Sequence, residues 1–278
     1  MEKSNSRLKI LEKIKEYERL GRFNDDIEED PEAKELLPNK VDYLCKKLSS
    51  KIATYFANLV GQNFYEKMIK QNQLIINEIN GIENFTAVKQ GAIITCNHFN
   101  VTDNYAVWRA IRPHVRKRDR LYKVIKEGNY TNSPPPFGFI MRHCNTLQLS
   151  RNTETMKNFM TAMKTLLARG EKILVYPEQA MWWNYKKPRP LKPGAFTFAV
   201  ANNAPVIPVF ITMTDSDVLD ADGFPVQKFN INFLPAIYPK PELSRKENIE
   251  YMKNENYSAW VKTYEDFYKT PLSYETEN

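Results

Sequence analysis

Residues 93–105, IITCNHFNVTDNY, end a short apolar run on Asn97 and His98 and set a carboxylate, Asp103, five positions beyond the histidine. His98 is one of only three histidines in 278 residues. Imidazole is the side chain best suited to exchange a proton near neutral pH. A carboxylate five positions away cannot share a helix face with it. Across a strand–turn–helix junction it can fold back, fix the ring's tautomer and stabilise the imidazolium. That arrangement is a general base without a protein nucleophile, so the attacking hydroxyl would come from a substrate. The alternative is a structural histidine, with Asp103 capping the following helix.

Three further stretches hold residues of the same character. PFGFIMRHCNTLQLSR, residues 136–151, ends on Arg151 just past a strand-like run. There a guanidinium could grip a phosphate, or simply face solvent. ILVYPEQAMWW, residues 173–183, delivers Glu178 from an apolar run into a loop. A carboxylate there is costly unless it is paired or lies at the mouth of a site. It could pair with Arg151, accept a substrate hydroxyl, or form a purely structural Glu–Arg pair. Lys186, Lys187, Arg189 and Lys192 cluster ahead of Gly194 and a helix start. Basic residues at a helix N-terminus attract anions, although a solvated basic loop has the same composition.

These stretches need a scaffold that brings strand ends together. Short β-favouring runs (GAIITC, LYKVIK, NTLQLS, KILVYP, PVIPVFI and VQKFNINFLPAIY) alternate with helical patterns from residue 90 onward. A helix is expected over about 103–112, and another where Met156, Phe159, Met160, Met163, Leu166 and Leu167 share one face before Gly170. The alternation predicts an α/β fold: a mostly parallel mixed sheet flanked by helices, with N-terminal amphipathic helices and a C-terminal helix. In such sheets ligands gather at the carboxyl ends of the strands, where the four stretches end.

The expected organisation is an N-terminal helical region over 1–80, an α/β core over 81–240 and a helical tail over 241–278. Residues 7–20 and 41–68 carry helical periodicity. The second pattern has a wide apolar face flanked by Lys46, Lys47, Lys51, Lys67 and Lys70, which could lie on an anionic membrane or pack on its own domain. In the tail, Tyr257, Trp260, Tyr264 and Tyr268 make an apolar face for docking on the core.

Composition narrows the function classes. Forty Lys and Arg against 33 Asp and Glu leave a formal charge of +7, which suits anionic partners. The basic residues are scattered and form no nucleic-acid module, so no nucleic acid is expected. Cys45, Cys96 and Cys144 have neither metal-ligand spacing nor a disulfide pattern, and no metal site is expected. The charged N-terminus lacks the apolar stretch of a signal peptide, and no apolar window is long enough to cross a bilayer. The expectation is a cytoplasmic protein, with a peripheral membrane role open. No G-x-S-x-G elbow is present, so a serine nucleophile is not expected.

The order of the motifs adds a resemblance. N-H-x-x-x-x-D, then P-x-G with an arginine at a strand end, then an apolar residue followed by P-E, then a strand with two prolines: over residues 81–215 this resembles the glycerolipid acyltransferase family, especially the bacterial lysophosphatidic acid acyltransferases. The resemblance implies that His98 deprotonates an acceptor hydroxyl, oriented by Asp103. It implies that Arg151 and Glu178 belong to the acceptor site, with Asn97, Arg189 and Lys192 among the substrate-binding residues. The acyl donor is then acyl-CoA or acyl carrier protein, no cofactor stays bound, and the acceptor is a lysophospholipid. The implied location is peripheral, on the inner face of the plasma membrane. The third motif departs from the family: Gln179, Ala180 and Met181 stand where glycine, threonine and arginine are usual. Lys186, Lys187, Arg189 or Arg142 could replace the lost cation, and Trp182 and Trp183 could stack on a different headgroup or line an acyl groove. A non-catalytic lipid or acyl-carrier binder, or an acyl hydrolase, is the competing function.

Overall fold

The computed structural model describes residues 2–28 and 30–276. Helix α1 (Asn5–Arg19) starts at Ser4, whose hydroxyl accepts the Arg7 N–H, and α2 (Leu48–Lys70) follows a long connection. Next come β1 (Ile75–Asn80), α3 (Ile82–Ala87), β2 (Ala92–Cys96) and α4 (Asp103–Ile111). The chain continues through β3 (Leu121–Ile125), α5 (Glu127–Thr131), α6 (Phe137–His143), β4 (Thr146–Gln148) and α7 (Thr153–Ala168). It ends with β5 (Lys172–Val175), α8 (Gly194–Ala201), β6 (Val206–Leu219), β7 (Pro225–Phe233) and α9 (Arg245–Tyr268).

The seven strands form one sheet in the order β1-β7-β6-β2-β5-β3-β4. All neighbours are parallel except β6 and β7, so the sheet is mixed and mostly parallel, as the alternation of elements predicts. Strands β2 and β5 are buried along their whole length, which is why they read as continuous apolar runs. Their side chains alternate between two layers. Ile94 and Cys96 point into a cluster with α3, α4 and β7, whereas Ile93 points into a cluster with α7 and α8. Helix α9 closes the second face, where Trp260 packs on Phe210 of β6.

Three local differences from the sequence reading have physical causes. The helix expected from Val41 begins seven residues later. The Asp42 carboxylate takes the N–H groups of Lys46 and Lys47, a local turn that competes with a helix. Strand β1 was not expected; it lies at the sheet edge with its last four residues exposed and so carries no burial period. Residues 137–143 coil into α6 before β4 begins.

Candidate active site

His98 sits two residues past β2, and Asp103 opens α4. The turn between them brings His98 Nδ1 to 2.8 Å from Asp103 Oδ2. Asp103 is fully buried. Its Oδ2 also accepts the N–H groups of Phe99 and Asn100, both at 3.3 Å. These bonds and the helix N-terminus compensate a buried negative charge. With Nδ1 taken, Nε2 is the ring nitrogen left for the cavity that His98 lines.

Tyr176, just beyond β5, completes the arrangement and escaped the sequence reading. Thr95 of β2 pairs with Val175 of β5, so the next residue on each strand emerges beside the other. Tyr176 therefore reaches the His98 turn. Its hydroxyl donates to Asp103 Oδ1 at 2.5 Å, and its ring stacks on the imidazole with centroids 3.9 Å apart. Burial, reinforced by the Asp103 charge, pushes the phenol well above its usual range, so it stays a donor. The signal that could have found it is a lone tyrosine closing an otherwise aliphatic strand, two positions before Glu178.

The loop after Tyr176 is bolted to the His98 loop. Glu178 Oε2 accepts the His98 N–H at 3.0 Å, and Glu178 Oε1 accepts the Arg189 N–H at 2.7 Å. The Arg189 guanidinium bonds Glu178 Oε2 at 3.0 Å and Phe23 O at 3.1 Å, with a further bond to Ala180 O. Its carbon lies 4.7 Å from the Trp182 ring centre. Both charged side chains are almost wholly buried. The Glu178 pair is therefore with Arg189, not Arg151, and it braces the backbone beneath the histidine. Asn97 has a comparable place: its amide exchanges two bonds with the backbone of Ile211, at 3.0 and 2.9 Å, tying β2 to β6 beyond their last paired residues.

Arg151 lies apart from this group. It follows the edge strand β4, three strands from β2, or about 14 Å across the sheet. Its guanidinium reaches Glu127 at 3.4 Å and the carbonyl of Ala33 at 2.7 Å. Lys192 does line the cavity with His98, beside Pro177, Gln179 and Gly194, and has no ion pair among the described residues.

The two tryptophans do not line that cavity. Trp182 is buried among Ile14, Tyr17, Phe23 and Ile27 and donates to Asp25 O at 3.0 Å. Trp183 meets Phe224 and the Arg7 guanidinium. They seat the N-terminal segment on the third-motif loop. Gln179 has φ +64°, the left-handed region in which glycine costs nothing.

The cavity has a volume of about 1100 Å³. Its walls include Leu59 and Tyr65 of α2, Tyr105 and Trp108 of α4, and Ile140 and Met141 of α6. Burial pushes the Tyr65 phenol up to about 12, so its hydroxyl stays protonated at physiological pH. No group of His, Cys, Asp and Glu side chains that could hold a metal occurs among the described residues. A base backed by a buried carboxylate, at the rim of a largely apolar cavity, can activate a hydroxyl carried on an amphipathic molecule.

Residues 77–212 match the family model described as Acyltransferase. A solved structure similar to the chain is that of the 1-acyl-sn-glycerophosphate (LPA) acyltransferase PlsC from Thermotoga maritima. The two are 19% identical over 83% of this chain and 86% of that one, with a TM-score of 0.52, a likeness of fold. No curated protein matches the chain.

Proposed function

We propose that the protein transfers a fatty acyl group from a thioester, acyl-CoA or acyl carrier protein, to the hydroxyl of a lysophospholipid, with lysophosphatidic acid the leading acceptor. The observation that carries this reading is the 2.8 Å contact between His98 Nδ1 and Asp103 Oδ2 at the rim of the cavity. His98 Nε2 takes the acceptor's proton as its oxygen attacks the thioester carbonyl. An ester bond forms, the C–S bond breaks, and the proton passes to the departing thiolate. Asp103 stabilises the imidazolium, and Tyr176 holds the second oxygen of that carboxylate. Lys192 is the cation best situated for an acceptor phosphate, and Arg151 would have to leave Glu127 to join it.

A peripheral position on the inner face of the plasma membrane goes with this chemistry. No helix among the described residues is long and apolar enough to cross a membrane. Helix α2 nevertheless exposes Leu48, Ile52, Tyr55, Phe56, Leu59, Val60 and Phe64, each 43–73% accessible. Such a contiguous apolar face, next to Lys47 and Lys51, suits an anionic lipid surface beside the cavity. The test is mass spectrometry of the esters formed from a lysolipid panel with acyl-CoA and acyl carrier protein donors. New diacyl product supports the reading. Free fatty acid without ester would make the protein a hydrolase, and no thiol release with any pair would make it a binder.

A further inference from the structure

The cavity extends well beyond His98. It follows the sheet face that carries Leu121 and Lys123 of β3, back to the loop preceding that strand. Five cations line this distal part: Arg112, Lys117, Arg118, Arg120 and Lys123. Arg120 is steadied by the carbonyls of Lys117 and Asp119, at 2.8 and 2.9 Å, and Arg112 lies beside the Trp108 ring. Asp119 is turned to Arg116. The acids that line the cavity have other cations as partners: Asp26 and Asp30 pair with Lys126, itself in the lining, and Glu28 with Arg7.

Lys123 is the unusual member. It is half-buried in the sheet, and its ammonium meets Cys144 Sγ at 3.8 Å but no carboxylate among the described residues. A cation withdrawn from water without a counter-ion is costly, and an acyl chain laid over it would raise that cost. The position calls for an anion.

The register gives its distance from the chemistry. Lys123 is level with Leu174, and Leu174 with Ile94, four residues before His98. Four residues along and two strands across put the two α-carbons roughly 16 Å apart. In a phosphopantetheine thioester, sulfur and phosphorus are separated by about 13 bonds, which extend to about 16 Å on ordinary bond lengths. The phosphate of lysophosphatidic acid is only a few bonds from its hydroxyl, a much shorter span than the phosphopantetheine arm.

We propose that the distal cavity binds the phosphate of the acyl donor's phosphopantetheine arm, with Lys123 and Arg118 as its principal ligands. This rests on the acyltransferase reading. The arm then runs along β3 with its thioester at His98, and the acyl chain leaves by another path. Acyl-CoA and acyl carrier protein share this phosphate, so the site serves either donor.

The experiment compares acyl-pantetheine with acyl-phosphopantetheine as donors. The ratio of their kcat/KM values reads the phosphate alone. In the wild type that ratio should be about 30 or more, and Lys123→Met or Arg118→Gln should each lower it about tenfold. Phosphopantetheine binding measured by calorimetry, which needs no turnover, should weaken by the same factor. A ratio near one in the wild type, or a ratio and affinity unchanged in both variants, overturns the proposal. Loss of binding to anionic vesicles with phosphopantetheine affinity unchanged would assign the cations to lipid headgroups and also overturn it. A wild type that binds phosphopantetheine through Lys123 but forms no ester sinks the acyltransferase reading instead.

Discussion

Replacing Glu178 by glutamine tests whether this carboxylate braces the site or touches the acceptor. The side chain is buried and accepts three bonds: from the His98 N–H, the Arg189 N–H and the Arg189 guanidinium. Glutamine keeps the shape but leaves the Arg189 cation buried without its charge partner. Removing one member of such a pair costs roughly 3–5 kcal/mol. For a chain of this size each kcal/mol lowers Tm by about 2–4 °C, so the melting temperature should fall by roughly 6–20 °C. Thermal unfolding followed by circular dichroism measures this, with acceptor KM determined well below the transition. The KM should change little, while kcat falls because the His98 backbone loses its anchor. A Glu178→Leu, Arg189→Met double variant should lose less stability than the two single changes summed, since no lone charge remains buried. A melting temperature within a degree or two of wild type, together with a tenfold rise in acceptor KM, would refute the bracing role and return Glu178 to the substrate.

Three other outcomes are expected. Tyr176→Phe keeps the ring stack but removes the donor to Asp103 Oδ1, which leaves more of the carboxylate's charge for the imidazolium. Its kcat should fall about tenfold and the acid limb of the pH–rate profile should move to higher pH, whereas a purely packing role would leave that limb in place. Ile52→Glu and Phe56→Glu on α2 should reduce co-sedimentation with anionic vesicles without lowering Tm; unchanged sedimentation would remove α2 from the membrane contact. Lys172, buried at the start of β5, has its ammonium pushed down to about 8 by desolvation. Between pH 8 and 10 the unfolded chain holds that proton more tightly, so wild-type stability should gain on Lys172→Met as pH rises through this window, and urea titrations at both ends measure it.

The parts of the molecule legible in the sequence are those whose causes are local. The β2 and β5 runs announce two-sided burial, and α7 carries its core face at helical spacing. The His98–Asp103 contact closes within one turn, so spacing alone could suggest it. The Glu178–Arg189 clamp depends on how a loop folds back to join two residues eleven positions apart, and nothing in the order of residues favours Arg189 over Arg151. Strand order decides that question: β4 lies at the sheet edge and carries Arg151 away from His98. The tryptophans after Glu178 suggested ligand contacts, but they bind the N-terminal segment, a partner about 160 residues distant in sequence.

The central claim is that His98, oriented by Asp103, is the base for acyl transfer. The most direct measurement is the initial rate of ester formation by purified His98→Ala, with Asp103→Asn alongside and folding checked by circular dichroism. Each should lose a factor of about 10²–10⁴. Folded variants that form ester at the wild-type rate would contradict the account.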